Sequence, residues 1–335
     1  MIRPEQLLCP KPEGLYCAPG DFFIDPVRPV ARAVVTHGHA DHARAGHGAV
    51  LATPETLAIM ACRYGEDFAG RTQPVSYGQT VERDGVQVSL VPAGHVLGSA
   101  QAVVRWKGMT IVVSGDYKRR RDPTCAPFEP VPCDVFVTEA TFGLPVFCFP
   151  DAEGEIATLL DSVRQFPERA HLVGVYALGK AQRMIRLLRE GGHEGVIYVH
   201  GALARLNALY EAHGIDLGPL APATETTRRD FRGAIILAPP STLQDRWARR
   251  FPEPVAAFAS GWMRVRARAR QRGVELPLII SDHGDWSELT RTLQEIAPGE
   301  VWITHGREEA LARWCELNGL SARALALVGY EDEED

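Results

Sequence analysis

Thr36-His37-Gly38-His39-Ala40-Asp41-His42 puts three imidazoles and a carboxylate within six residues, directly after the apolar run Ala33-Val34-Val35. A single core histidine is commonplace and needs only a hydrogen bond. Four donor side chains in H-x-H-x-D-H order would crowd polar groups together, with little apolar burial to offset the lost solvation. In extended backbone, alternate side chains share a face. His37 and His39 can therefore reach one metal ion, while Asp41 and His42, past the strand end, can reach a second. Neutral imidazole and carboxylate oxygen suit zinc or manganese. The expected cofactors are two divalent metal ions (Zn2+ or Mn2+).

One cluster cannot fill two coordination shells, so further donors must come from elsewhere. The candidates follow strands. His95 lies in the Gly-flanked turn Ala93-Gly94-His95-Val96-Leu97-Gly98-Ser99, Asp116 in Ser114-Gly115-Asp116, and His305 in Thr304-His305-Gly306. Taken singly, each reads equally well as a turn aspartate or a surface histidine. Taken jointly, three more donors behind three strands point to one shared sheet edge.

Around this cluster, the 335 residues are 45% apolar and 23% charged, an ordinary globular balance that excludes wholesale disorder, collagen and coiled coil. No run approaches the ~20 apolar residues of a membrane span, and MIRPEQLLCP does not read as a secretory leader. The expectation is a cytoplasmic protein with no membrane partner. Seven scattered cysteines without a C-x-x-C pair argue against a disulfide scaffold or a thiolate zinc finger. The net charge of -6 speaks against a polyanionic substrate, but the last five residues, 331–335, form an acidic tail that carries -5 of it. Basic residues cluster elsewhere: Lys118-Arg119-Arg120-Arg121, Arg228-Arg229 with Arg232, and every second residue from Arg264 to Arg272. The local field, not the total, governs polyanion binding.

Residues up to about 145 read as short strands and turns. Lys107-Gly108 between Ala102–Trp106 and Met109–Val113 is a hairpin signal. From about 150 to 275, strands (171–176, 196–200, 234–237, 255–258) alternate with helices (180–190, 202–213, 242–250), the rhythm of a parallel sheet. Strand signals return at 278–280 and 301–303. The organisation is a strand-rich domain split by an inserted α/β unit.

The H-x-H-x-D-H stretch with His95, Asp116 and His305 resembles the metallo-β-lactamase superfamily. Glu139 after a strand, Ser281-Asp282-His283-Gly284-Asp285 and Thr304-His305-Gly306-Arg307-Glu308 resemble its β-CASP branch of nucleic-acid-processing nucleases. Gly14-Leu15-Tyr16 and Gly20-Asp21-Phe22-Phe23-Ile24-Asp25-Pro26 are similar to the bacterial ligase-associated DNA exonucleases. The resemblance implies an α/β (α+β, four-layer) fold. That fold is a metallo-β-lactamase αββα sandwich over 1–145 and 276–335, with a β-CASP cap inserted over 146–275. It also implies that His37, His39 and His95 hold one metal and Asp41, His42 and His305 the other, with Asp116 bridging. Asp25 would brace the metal loop from behind, though an Asp-Pro turn explains it as well.

The implied reaction is phosphodiester hydrolysis by a metal-activated hydroxide. Asp116, Glu139, His283 and Asp25 form the catalytic set. His283 protonates the leaving alkoxide, and Glu139 charges and holds that imidazole. Without the resemblance, Glu139 reads as a helix N-cap and His283 as a turn residue. Lys180, in Tyr176-Ala177-Leu178-Gly179-Lys180-Ala181-Gln182, could present a charge to a phosphate at a helix start or simply be solvated. The arginines 264–272 would line one face of a strand as a backbone track but would spread around a helix. The implied function is a DNA exonuclease in DNA repair, with an ATP-dependent DNA ligase and a helicase as partners. The alternative is an RNA-processing β-CASP nuclease, because DNA nucleases of the Artemis type lack a histidine at the position of His305. A small-molecule metallo-hydrolase is a third reading, disfavoured by the inserted unit.

Overall fold

The computed structural model describes residues 2–224 and 231–325. The acidic tail, Arg228 and Arg229 lie outside the described residues. The chain divides into two compact units, one over Met1–Cys148 and from His283 onward, the other over Phe149–Asp282.

The first unit holds two sheets. One runs in chain order through β1 (Leu8–Lys11), β2 (Gly14–Cys17), β3 (Phe22–Ile24), β4 (Ala33–Val34), β5 (Val50–Ala52) and β6 (Thr72–Pro74). The other contains β7 (Thr80–Arg83), β8 (Val86–Pro92), β9 (Ala100–Trp106), β10 (Met109–Val113) and β11 (Val135–Ala140). It is completed by the last two strands of the chain, β18 (Glu300–Gly306) and β19 (Ser321–Ala324), in the order β19-β18-β11-β10-β9-β8-β7. Between β9 and β10, Lys107 and Gly108 both have positive φ, 47° and 81°, and Trp106 pairs with Met109. This is the two-residue turn whose twist matches a hairpin.

The central strands are apolar on both faces, so they read as continuous runs rather than alternations. Val104, Ile111, Val137 and Trp302 form one core with Leu15, Ile24 and Val34 of the first sheet. Their neighbours Val103, Val112, Phe136 and Val301 pack on the other side against Leu289 and Leu293 of α6 (Trp286–Ile296) and Leu311 of α7 (Glu308–Leu317). On the far side of the first sheet, Ala33, Val50 and Ala52 meet Leu57 and Met60 of α1 (Pro54–Tyr64). This helix falls in a stretch read as strands and turns. Its start signal is Thr53-Pro54: the Thr53 hydroxyl accepts from Thr56 N–H at 3.1 Å, and Pro54 opens the helix.

The second unit is a parallel sheet of β12 (His171–Gly174), β13 (Ile197–Val199), β14 (Leu220–Pro222), β15 (Ile235–Ala238), β16 (Val255–Ala259) and β17 (Leu276–Leu278), ordered β14-β13-β15-β12-β16-β17. Its helices are α2 (Ala152–Gln165), α3 (Lys180–Glu190), α4 (Gly201–Ala212) and α5 (Arg266–Gln271). This compact unit runs past the boundary at 275, because β17 pairs with β16.

One sequence expectation changes here, and one of two open alternatives applies. The helix expected over 242–250 is replaced by 3-10 turns at Pro240–Gln244 and Ala248–Arg250. Thr242 Oγ1 donates to Pro239 O, and Asp245 Oδ1 accepts from Arg246 N–H. Such local side-chain bonds compete with a helix. The arginine segment forms a 3-10 turn and the short α5, not a strand. Its side chains therefore spread around the axis, and no single-faced track exists. Among the described residues, no helix is long and apolar enough to cross a membrane.

Candidate metal centre

The C-terminal ends of β8, β10, β11 and β18 lie at one edge of their sheet, because β9 is antiparallel to β8 and β10, while β11 and β18 are parallel to β10. His95, Asp116, Glu139 and His305 sit at those four ends, and Asp25 and His37–His42 follow β3 and β4. The fold thus gathers residues separated by up to 280 positions in the chain.

Asp116 lies at the centre. Its Oδ2 is 3.4 Å from His37 Nε2, 3.4 Å from His42 Nε2, 3.8 Å from His95 Nε2 and 4.0 Å from His283 Nδ1. His39 Nδ1 is 2.9 Å from His95 Nε2, and Asp41 Oδ2 is 3.4 Å from His42 Nε2. Donor atoms of His37, His39, His95 and Asp116 converge within 4.8 Å of one another, as do those of His37, Asp41 and His42. His305 stands outside these two groups. Its ring stacks on that of His42 at 5.3 Å.

The approach of His305 depends on backbone geometry. β11 and β18 slip register so that Glu139 faces Thr304 while Ala140 faces Gly306, leaving His305 as the extra residue. Its φ is +58°. A bulge with a left-handed residue re-aims a side chain at a strand end, at a cost of about 1 kcal/mol for a residue with a Cβ.

Asp25 organises the motif from behind. Its Oδ1 accepts from Thr36 N–H at 2.7 Å, and its Oδ2 accepts from the Thr36 hydroxyl at 2.6 Å and meets His42 Nδ1 at 2.8 Å. The Thr36 oxygen is 3.1 Å from His37 Nδ1. Both imidazoles are thereby set with Nδ1 turned to the protein and Nε2 toward Asp116, the arrangement that orients metal-binding histidines. Thr36 is a contributor that the motif reading missed, since threonine is not a ligand type. Asp25→Asn is expected to lower metal affinity by about 10–100-fold, checked by metal titration; unchanged affinity would remove Asp25 from the site.

Electrostatics set the charge states. Burial pushes the His37 imidazole down to about 4, reinforced by the charge on His42. Burial, then His42, takes His305 down to about 4 as well. Burial, then the neighbouring His37 and His283, holds His95 well below the usual range. Burial opposes the charged form of Asp116, yet the charges on His42 and His283 and the close approach of His37 and His42 outweigh it and keep the carboxyl ionised. His42 moves upward: burial opposes its charge, but Asp116 and Asp41 prevail. The pocket therefore combines three neutral imidazoles, His37, His95 and His305, and a charged His42 with ionised carboxylates, and the carboxylates draw positive charge to its centre. His37 Nε2 and Asp41 Oδ1 are buried without a hydrogen-bond partner, which is costly unless a further group meets them. A divalent cation fits both features.

Glu139 joins two parts of the site. Its Oε1 accepts from Tyr117 N–H at 2.8 Å, and its Oε2 meets His283 Nδ1 at 2.9 Å. The carboxylate is buried, while the His283 side chain is 23% exposed. Gly284 N–H donates to Tyr117 O at 2.6 Å. Behind this, the Glu288 carboxylate accepts from the N–H groups of Arg119, Arg120 and Asp285. The Asp285-x-x-Glu288 capping box was a readable signal for this brace.

Lys118 of the basic run is buried, Arg119 and Arg120 are half-buried and paired, and Arg121 is exposed. Lys118 donates to Asp122, Arg119 to Glu295 and Arg120 to Asp285. Lys180 is buried, donates to Ile280 O at 2.9 Å and lies 3.4 Å from Asp282. The solvent-facing position expected of a phosphate ligand is corrected: its ammonium is turned into the protein.

Gly94 makes the turn that presents His95. Its φ is +75°, and a Cβ would lie 2.3 Å from Lys118 O and 2.9 Å from Phe128 N, both backbone atoms. Gly94→Ala is expected to cost about 3 kcal/mol through strain and overpacking, measured by denaturant titration. A loss under about 0.5 kcal/mol, the level of an ordinary surface change, would contradict this close approach.

The chain is similar to several known proteins. A probable DNA ligase of Opitutus terrae is 28% identical over 316 residues, covering 93% of this chain and 30% of its own length. Cleavage and polyadenylation specificity factor subunit 3 of Dictyostelium discoideum is 28% identical over 321 residues, 78% of this chain and 41% of its own length. The chain thus resembles the β-CASP nucleases of the metallo-β-lactamase superfamily. Endoribonuclease ysh1 of Schizosaccharomyces pombe is 35% identical over 126 residues, 36% of this chain and 16% of its own length. The chain spans less than half the length of each of these relatives. No family model matches it.

Proposed function

We propose that the protein is a metal-dependent nuclease that hydrolyses phosphodiester bonds of DNA, acting as an exonuclease in DNA repair. The observation that carries this reading is Asp116 Oδ2 within 4.0 Å of four imidazole nitrogens, one of them on His283, which Glu139 also holds at 2.9 Å. In this reading the first unit is the αββα sandwich and the second the inserted cap. Support comes from the apolar core between the two sheets and the helices against their outer faces.

His37, His39, His95 and Asp116 would hold one ion, and Asp41, His42 and His305 the other, with Asp116 shared. When bound, two such ions supply Lewis acidity and a nucleophilic water at neutral pH. The residues of the chain do the rest. Asp25 and Thr36 fix the ring orientations of His42 and His37. Glu139 engages Nδ1 of His283, so proton delivery to the leaving oxygen falls to Nε2. The carboxylate favours the imidazolium, the form able to donate.

The choice of DNA draws on the Opitutus relative, whose name is that of a DNA ligase and which contains a stretch matching nearly this whole chain. Such an arrangement supports a ligase as working partner, and the resemblance adds a helicase. RNA is the second reading, favoured by the relatives named endoribonuclease and by His305 itself. End-labelled single-stranded and duplex DNA and RNA of matching sequence, incubated with Mn2+, Zn2+ or Mg2+, separate the two. DNA shortened from its ends while RNA stays intact is the expected result. RNA cleaved faster would overturn the DNA reading, and neither cleaved with any ion would overturn the nuclease reading.

A further inference from the structure

The second unit carries an aromatic and basic cluster that the metal chemistry does not use. In its parallel sheet, β13 and β15 lie side by side, yet the chain leaves them in opposite directions: β13 leads outward to β14, and β15 leads back across β12 to β16. A crevice forms outside the carboxyl ends of two such strands, and open α/β sheets take ligands there. His200 stands at that place, directly after β13, and its N–H donates to Leu237 O of β15 at 2.9 Å. Trp247 belongs to the connection that follows β15. The two rings meet with centres 4.8 Å apart, nearly perpendicular at 76°.

Trp247 is anchored but not covered. Phe251 meets it at 4.8 Å and packs in turn on Phe231, also at 4.8 Å, while Trp247 and His200 stay half-buried. Positive charge dominates around them. Residues 245–250 carry three arginines against one aspartate, and Arg246, Arg249 and Arg250 are all exposed. The Arg250 guanidinium is 5.6 Å from the centre of the Trp247 ring. Burial, then the Arg250 charge, holds the His200 imidazole below its ordinary range. Asp245 accepts from the backbone N–H of Arg246, and the charge of the next acid along, Glu253, acts on Arg169. Among the described residues, no salt bridge engages the three guanidinium groups. Exposed cations around a half-buried indole suit a strand of phosphates whose bases are free to stack.

We propose that His200, Trp247, Arg246, Arg249 and Arg250 form a platform for single-stranded nucleic acid. The indole stacks on one unpaired base, and the guanidinium groups hold the phosphates beside it. The choice of nucleic acid as ligand rests on the nuclease reading and adds to it a holding point for the strand within the second unit. Every base has a π-face, so the platform is indifferent to sequence; a duplex keeps its base faces in its own stack, so the platform selects unpaired strands.

The test uses metal-loaded full-length protein and a short fluorescein-labelled oligo-dT with nuclease-resistant phosphorothioate linkages, with anisotropy read at several salt concentrations. Trp247→Leu, which keeps an apolar side chain, is expected to weaken binding about 5–100-fold, the range of one stacked base, with the salt dependence unchanged. Trp247→Tyr should recover most of that loss. The Arg246→Gln/Arg249→Gln/Arg250→Gln triple should flatten the slope of log affinity against log salt by about 2, from about 0.7 per phosphate contact on a single strand. The triple alters only exposed side chains, so it carries the test alone where Trp247→Leu fails to fold. A duplex of matching length should not respond to Trp247→Leu; an equal loss on the duplex would overturn the stacking platform. Variants that bind the strand as the parent does, beside a parent that cleaves end-labelled DNA or RNA, overturn this inference and leave the nuclease reading standing. A parent that binds in the expected pattern but cleaves neither upholds the platform and overturns the nuclease reading.

Discussion

Asp116→Asn is expected to reduce hydrolysis of end-labelled DNA to background. Asparagine keeps the shape of the side chain but loses the charge that holds the centre together. Asp116 Oδ2 lies within 4.0 Å of His37, His42, His95 and His283, and only an ionised carboxylate can serve two cations at once while leaving those rings in place. The amide offers one weaker oxygen and turns N–H donors toward imidazoles. Metal-derived stabilisation of transition-state charge amounts to several kcal/mol, so the loss should reach about 10³-fold or more. Metal content after gel filtration should fall below two ions per chain. Circular dichroism should stay that of the parent, because β10 and β11 and their apolar partners do not depend on the charge. Full activity with two bound ions would overturn the bridging role.

His283→Ala is expected to give the second largest effect, with a selective signature. Loss of a general acid slows a reaction by about 10²–10⁴-fold. The loss should appear with a nucleotide leaving group, whose alkoxide needs a proton, and nearly vanish with p-nitrophenolate. Glu139→Gln should follow the same pattern more weakly, since it loosens the hold on Nδ1 at 2.9 Å but leaves the ring. If His283→Ala slows both substrates equally, His283 serves the fold or the metals and not the proton.

The candidate donors were legible because their chemistry is local. His37, His39, Asp41, His42, His95, Asp116 and His305 each follow an apolar strand, and a donor at a strand end has few structural uses in common with six others. The Lys107-Gly108 hairpin was legible for the same reason, its twist being a two-residue property. Other signals were present but outweighed: Thr53-Pro54 opens α1 inside a stretch dense in strand residues, and Asp285-x-x-Glu288 caps α6.

Long-range contacts decided the rest. A lysine at a helix start looks solvated until β17 and the segment after it are packed over α3; its burial is a fact about residue 280, not residue 180. The arginines 264–272 alternate as a strand would, but Ser260 caps a 3-10 turn through Trp262 N–H, and the helical path scatters their charges. The bulge that aims His305 arises from the meeting of β11 with β18, which are separated by the whole second unit.

The order of residues alone determined which side chains could bind cations and transfer a proton, because donor chemistry and its place at the end of an apolar run are written in a few adjacent positions. Only the folded chain decided which cations face inward, which ring is held by which carboxylate and how closely the donors meet. Those depend on packing and on distances of 2.9–4.0 Å between segments far apart in the chain, where hydrogen bonding and desolvation act and local preference carries no information.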